Sequence, residues 1–334
     1  MNNLCKFIVG AGGTLTPLLV SSSDLKGPGL MNPSIYKDGD DIFVNLRNIN
    51  YVLYHSEVDQ KFNNRWGPLV YMNPENDITL TTYNIICKLD SNLAIDNYNH
   101  VDTSKLDVKP LWEFIGLEDA RLFKWNDKMY LCGVRRDTTT NGEGRMELSE
   151  IEIKDTEIKE ISRVRIQPPF AGSYCEKNWM PVLDLPYHFV KWTNLTEVVK
   201  VNPETGVSEQ VYLSTKLIPD MPDFRGGSQV ISWKDYRICV VHQVNLYNNV
   251  LGQKDGKYRH RFIVWDKEWN IVSISDPFSF LGAQIEFACG VALDKDDLLI
   301  SFGFQDNASF VLRIPESIVE KTINYKHVNI DQYV

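Results

Sequence analysis

The sequence predicts an all-β protein, and within that class a five-bladed β-propeller. One observation is that almost every apolar run is short, rich in β-branched or aromatic residues and bounded by turn residues, while helical periodicity is absent over any long stretch. The other is a recurring context: an apolar strand, a short charged turn, then a second strand. It recurs five times at irregular intervals of roughly 50 to 90 residues, as expected for radially repeated four-stranded blades carrying insertions of variable length.

The first unit runs from Ser34-Ile35-Tyr36 through Lys37-Asp38-Gly39-Asp40-Asp41 to Ile42-Phe43-Val44-Asn45. In the second, Arg121 to Trp125 turns at Asn126-Asp127 into Met129-Tyr130-Leu131, and the Asn-Asp pair between alternating strands is a hairpin signal. The third joins Trp179 to Val182 with Tyr187 to Val190 through Asp184-Leu185-Pro186. In the fourth, Gln229 to Trp233 turns at Lys234-Asp235 into Tyr236 to Val241, and in the fifth Ala288 to Leu293 turns at Asp294-Lys295-Asp296-Asp297 into Leu298 to Phe302. The expectation is one propeller domain over 1–334, with 1–30 an N-terminal extension or closing strand and 314–334 a C-terminal closing segment.

Composition narrows the function. A chain of 334 residues with 43% hydrophobic and 11% aromatic residues buries a large core. A net charge of −9 disfavours a nucleic-acid coat, although it permits a local basic cleft. The six cysteines are scattered without metal-ligand or disulfide spacing, so no metal site is expected and the thiols read as reduced core residues. Gly10-Ala11-Gly12-Gly13 lacks the spacing of a dinucleotide loop and the lysine of a P-loop, and reads as a turn. No segment is apolar for long enough to span a bilayer, and the expected location is cytoplasmic.

In a propeller, the inner strands converge on a central channel, and polar residues at their ends face a common pocket. The stretch Gly116-Leu117-Glu118-Asp119-Ala120-Arg121 places two acids and an arginine at such a strand start. Candidate catalytic residues are Asp119, Glu118 and Glu286; candidate substrate or phosphate ligands are Arg47, Asn48, Asn50, Tyr51, Arg121, Arg135, Lys177, Asn178, Arg225, Ser228, His242, Arg259, Arg261 and Asp306. So many cations near one pocket of an acidic protein point to a bound anion, and a phosphate matches fixed arginines. Strand alternation puts His260 on the face opposite Arg259 and Arg261. Trp66, Trp112, Trp125, Trp179 and Trp192 offer sugar-stacking platforms or core. Asp294-Lys295-Asp296 has the spelling of a metal-binding DxD motif but reads as a blade turn.

The ordered set Asn32-Pro33-Ser34-Ile35-Tyr36, Gly116 to Arg121, Glu176-Lys177-Asn178-Trp179, Gly226-Gly227-Ser228, Val241-His242 and Ala288-Cys289-Gly290-Val291 resembles the five-bladed propeller mannoside phosphorylases of glycoside hydrolase family 130. It is also similar to the related propeller glycosyltransferases. The resemblance, from about residue 30 to 313, implies Asp119 as proton donor, Arg121 holding sugar or phosphate, Lys177 facing the anion and His242 on phosphate. Two departures stand out: Ala120 replaces the family's proline, and Val241-His242-Gln243-Val244 lacks a tyrosine–histidine–glycine run. Asn32-Pro33-Ser34 also offers no carboxylate as the base that an inverting hydrolase needs.

The leading expectation is therefore a cofactor-independent glycosyltransferase. It would move a sugar from a nucleotide sugar or sugar phosphate to a carbohydrate or glycoconjugate acceptor, with Asp119 transferring the proton and Arg121, Lys177, Arg225 and Arg261 neutralising donor phosphates. A modified nucleic acid stays among the acceptors. The alternatives are a glycoside phosphorylase of the mannoside phosphorylase type and a non-catalytic propeller that binds glycans or proteins.

Overall fold

The computed structural model describes residues 3–54, 70–72, 79–154, 157–218, 224–248 and 254–324. Five antiparallel blades surround one axis. Blade I consists of Gly29–Asp38, Asp41–Ile49, Leu80–Leu89 and Ile95–Asp102, and blade II of Glu118–Trp125, Lys128–Arg135, Arg145–Lys154 and Glu157–Arg165. Blade III contains Met180–Pro181, His188–Thr193, Thr196–Val201 and Ser208–Leu213. Blade IV has a split inner edge, Arg225–Gly226 then Ile231–Trp233, followed by Tyr236–Asn248, Lys254–Trp265 and Ile271–Ile274. Blade V comprises Glu286–Asp294, Asp297–Phe304 and Ala308–Ile314, and its outermost strand is Thr14–Pro17 from the other end of the chain.

That last pairing, Thr14↔Arg313 through Pro17↔Phe310, satisfies backbone groups that an open edge strand would leave exposed. At their outer edges blades I and II share a short parallel contact, Ile158↔Val101 and Lys159↔Asp102. Each charged turn singled out in the sequence closes an inner hairpin. Asn126 and Asp127 both take positive φ (49° and 61°), the conformation that tight hairpin turns require and that these side chains tolerate. Asp294 is held by Lys37 (3.0 Å) and Arg313 (2.9 Å), so the DxD spelling is indeed a turn.

Apolar alternation builds the layers between blades. Blade V faces blade IV through Phe302, Phe280, Phe262 and Val240, and the helix Leu4–Gly10 adds Leu4 and Ile8 to that layer. Trp125 and Trp179 pack with Phe189 between blades II and III and are core, not platforms; Trp192 is exposed, and Trp66 lies outside the described residues.

Near the axis the inner strands bind each other through side chains. Gln229 is fully buried; its Nε2 donates to the carbonyls of Leu122 (2.7 Å) and Ile35 (2.9 Å), and its Oε1 accepts from the Val291 amide (3.0 Å). One side chain thus ties blade IV to blades I, II and V. Ser34 Oγ accepts from Leu122 N (2.9 Å), and Ser301 Oγ donates to the Pro33 carbonyl (2.6 Å). These bonds set the ends of the inner strands, and with them the site, on a rigid ring.

Candidate active site

At one end of the ring a cavity of about 120 Å³ opens, lined by Met31, Asn32, Arg47, Tyr51, Asp119, Lys177, Asn178, Arg225, His242, Tyr258, Ile285, Phe287 and Asp306. All five blades contribute. Asn32, Asp119, Asn178 and Asp306 in this wall have φ of 46°, 49°, 62° and 50°, a left-handed conformation that costs energy for any residue with a Cβ. At these points the backbone turns out of the strand and carries an Asn or Asp side chain with it. Blade IV instead places glycines here: a Cβ on Gly226 would collide with the Asn178 carbonyl oxygen, and one on Gly227 with the Val240 carbonyl oxygen.

The acid pair is organised by Arg47, which is 5% exposed. Its Nη1 donates to Asp119 Oδ1 (2.7 Å), its Nη2 to Glu118 Oε2 (3.1 Å) and Tyr51 Oη (2.8 Å), and its Nε to Thr82 Oγ1 (3.1 Å). Asp119 Oδ1 also accepts from Asn32 Nδ2 (2.7 Å). Burial pushes the Asp119 carboxyl up, but Arg47, the Asn32 amide and Arg121 outweigh it and leave the carboxyl below its usual value. Glu118 goes the other way: burial raises it more than Arg47 lowers it, with Asp119 adding repulsion.

The same cavity also carries cations. Lys177 and Arg225 have no ion-pair partner among the described residues. His242 stacks on Tyr258 (5.7 Å between centroids) and meets Phe287 edge-on (4.8 Å), and its Nδ1 is buried without a hydrogen-bond partner. Burial, then the neighbouring His260, Arg121, Arg225 and Lys177, hold His242 well below the ordinary histidine value, so it is a neutral imidazole. Beneath Asp119 the Cys289 thiol is pushed up to about 11, chiefly by burial, so it is not a thiolate nucleophile at neutral pH.

Arg47, Tyr51, Asp119, Lys177, Asn178, Arg225, His242 and Asp306 are thus brought together as the sequence led us to expect, with Glu118 beside them. The others do not join them. Arg121, 1% exposed, spends its guanidinium on the carbonyls of Gly227 (2.8 Å) and Asp119 (2.7 Å), holding the acid loop against blade IV instead of binding a phosphate. Glu286 accepts the amides of Phe280 (2.6 Å), Leu281 (2.8 Å) and Ala283 (3.0 Å) and anchors a loop.

Arg135 pairs with Asp137 (3.2 Å) and Glu147 (2.8 Å) at a separate cavity of about 250 Å³ between blades I and II. Asn48 bonds the carbonyls of Gly27 and Gly29, Asn50 bonds Thr79 and Thr81, and Ser228 bonds Gln229 and Val240. Arg261 donates to the Ser275 carbonyl (2.7 Å) and Arg259 to that of Tyr258 (3.1 Å), both outside the cavity wall; His260 is buried against Phe278 and Phe280. A strand-end position alone does not separate a channel-facing side chain from one that bonds its own backbone. Asn32 was missed as a site residue because a residue before proline is expected to be extended, not left-handed.

No family model matches the sequence, and no curated protein matches it in sequence. Solved structures do. The chain superposes on a β-1,2-mannobiose phosphorylase from Listeria innocua in complex with β-1,2-mannobiose at 12% identity, TM-score 0.55, covering 92% of this chain and 96% of that one. It superposes on a mannose phosphorylase from Leishmania mexicana in complex with phosphate ion at 12% identity and TM-score 0.51, covering 97% and 96%. The chain has the fold of the mannoside phosphorylases. A further structure with that fold, described with the GH130 family of mannoside phosphorylases and its glycoside hydrolases that target β-1,2 mannosidic linkages in Candida mannan, superposes at 11% identity, TM-score 0.53, covering 90% and 93%.

Proposed function

We propose that the protein is a glycoside phosphorylase acting on a mannoside: inorganic phosphate displaces the glycosidic oxygen at the anomeric carbon and releases a sugar 1-phosphate. The observation that carries this reading is the set of Lys177, Arg225 and neutral His242, which face one cavity and lack ion-pair partners there among the described residues. Unpaired cations facing a carboxylate wall are the arrangement for an oxyanion on one side and a sugar on the other. The mannobiose and phosphate complexes of structures with this fold supply the two ligand classes.

The nucleotide-sugar transferase favoured by the sequence is set aside. Arg121 and Arg261, expected on the donor phosphates, donate instead to carbonyl oxygens. The ionised Asp119 faces the sugar, where it stabilises the positive charge that develops at the anomeric carbon. The leaving oxygen then needs a proton from a carboxylic acid in the same wall.

The test is release of mannose 1-phosphate from manno-oligosaccharides as a function of phosphate concentration. Lys177→Met and Arg225→Met should each raise the KM for phosphate at least tenfold while leaving the KM for the sugar within about threefold. Release of free mannose without phosphate dependence, or turnover of a nucleotide sugar, would refute the reading.

A further inference from the structure

The cavity of about 250 Å³ between blades I and II has no part in the chemistry above. At the turn end of these blades Ile86, Leu122, Ile151 and Ile158 fill the layer between them with apolar packing. Toward the acid loop the packing changes kind. The cross-strand row Leu131↔Ser149↔Arg163 of blade II turns one face to the cavity. Ser149 Oγ and Arg163 Nε both donate to Glu160 Oε1 (2.6 and 3.0 Å), Arg163 Nη2 donates to Asp107 Oδ1 (3.0 Å), and Arg135 Nη1 donates to Asp137 Oδ2 (3.2 Å). Glu160 is 2% exposed and Arg135 5%. Charged groups thus occupy a layer that apolar side chains fill between other blades, at a cost in desolvation that packing alone does not call for.

The charges define what the cavity can hold. Both guanidiniums are already paired with carboxylates, so no spare positive charge is offered to a phosphate, in contrast to Lys177 and Arg225 in the other cavity. What remains is a balanced set of donors and acceptors, and Thr138 Oγ1 in this lining is buried with no hydrogen-bond partner among the described residues. Hydroxyl groups, which both donate and accept, are the ligand chemistry that such a set satisfies. The volume equals about eight waters at roughly 30 Å³ each, enough for one sugar ring.

The inner wall is the back of the acid loop, Gly116 and Leu117. Gly116 N donates to Asp137 Oδ2 (2.9 Å), Asn84 Nδ2 donates to the Leu117 carbonyl (3.1 Å), and Thr82, also in the lining, accepts from Arg47 Nε (3.1 Å). The outer wall includes Thr103, Asp107, Val108 and Pro110, and just beyond them Leu111 N donates to the Asp137 carbonyl (2.8 Å). Asp137 therefore fastens both walls, the inner by its carboxylate and the outer by its backbone.

We propose that this cavity is a second ligand site, which takes a neutral polyhydroxyl molecule the size of one sugar ring and braces the acid loop when filled, whether or not the active site performs phosphorolysis.

The experiment is amide hydrogen exchange of the full chain, read at Leu111 and Gly116, with millimolar mannose, myo-inositol or inorganic phosphate as probe. Mannose or myo-inositol should slow exchange at both amides about threefold or more near saturation, and phosphate should not. Thr138→Leu, which fills the cavity, should abolish this protection. Thr138→Val keeps the shape of threonine and so answers the question even where leucine perturbs the fold; it should raise the half-saturating concentration about threefold to tenfold. Protection that persists unchanged in both variants would place the sugar in the active-site cavity and overturn the proposal. Protection by phosphate alone, or exchange that neither polyol slows, the result for a cavity that holds only water, would overturn it as well.

Discussion

Replacing Asp306 by asparagine should make the fold more stable as the pH rises, relative to the wild type. In the folded chain burial, followed by repulsion from Asp119, raises this carboxyl from 3.8 to about 6. Between those values the unfolded chain has already released its proton and the folded chain has not. The folded state therefore binds more protons, and wild-type stability falls as pH rises through this window, reaching its full loss above 6. At about 1.4 kcal/mol per pKa unit the complete effect is about 3 kcal/mol, of which about 2 kcal/mol accrues between pH 4.5 and 7.5. Asparagine does not titrate, so any constant packing cost of the substitution cancels when the two pH values are compared. Urea unfolding of both proteins at pH 4.5 and 7.5 reads it directly: the variant should gain about 2 kcal/mol on the wild type across that interval. A difference between the proteins that is the same at both pH values, or that moves toward the wild type at pH 7.5, would show that Asp306 is an ordinary solvated carboxyl.

Arg47→Met should destabilise the protein by about 2–4 kcal/mol in urea, because the half-buried Glu118 and Asp119 would lose their shared, buried counter-ion; a loss under about 1 kcal/mol would contradict this. Glu286→Gln should cost about 1–3 kcal/mol, since an amide cannot accept all three loop N–H groups, while kcat on a phosphorolysed substrate stays within about twofold; a large drop in kcat with unchanged stability would return Glu286 to the chemistry. Gly226→Ala should fold poorly or lose several kcal/mol, because its Cβ meets backbone of blade III that cannot rotate away, whereas Gly10→Ala, with no atom within 4 Å of its Cβ, should be nearly neutral; equal unfolding midpoints for the two would refute the close approach.

The sequence by itself determined the class of fold, because short alternating runs and charged turns are local properties of the chain, and each of the five inner hairpins is built by neighbours in sequence. It also determined that the acid loop 116–121 and the cations Lys177 and Arg225 belong near strand starts, since the position of a residue along a hairpin follows from its turn. Which side chains face the channel was decided by the tertiary structure. Arg121 and Lys177 occupy similar strand-start positions, yet carbonyls of blade IV consume Arg121 and nothing in the wall pairs with Lys177. Left-handed φ at Asn32, Asp119, Asn178 and Asp306 aims those residues inward, and no periodicity encodes it. Closure of the ring between Thr14–Pro17 and Ala308–Ile314, and the approach of Asp306 to Asp119, join residues far apart in the chain. The charge states that separate one carboxylate from another depend on distance and burial in three dimensions, so only the folded ring could assign them.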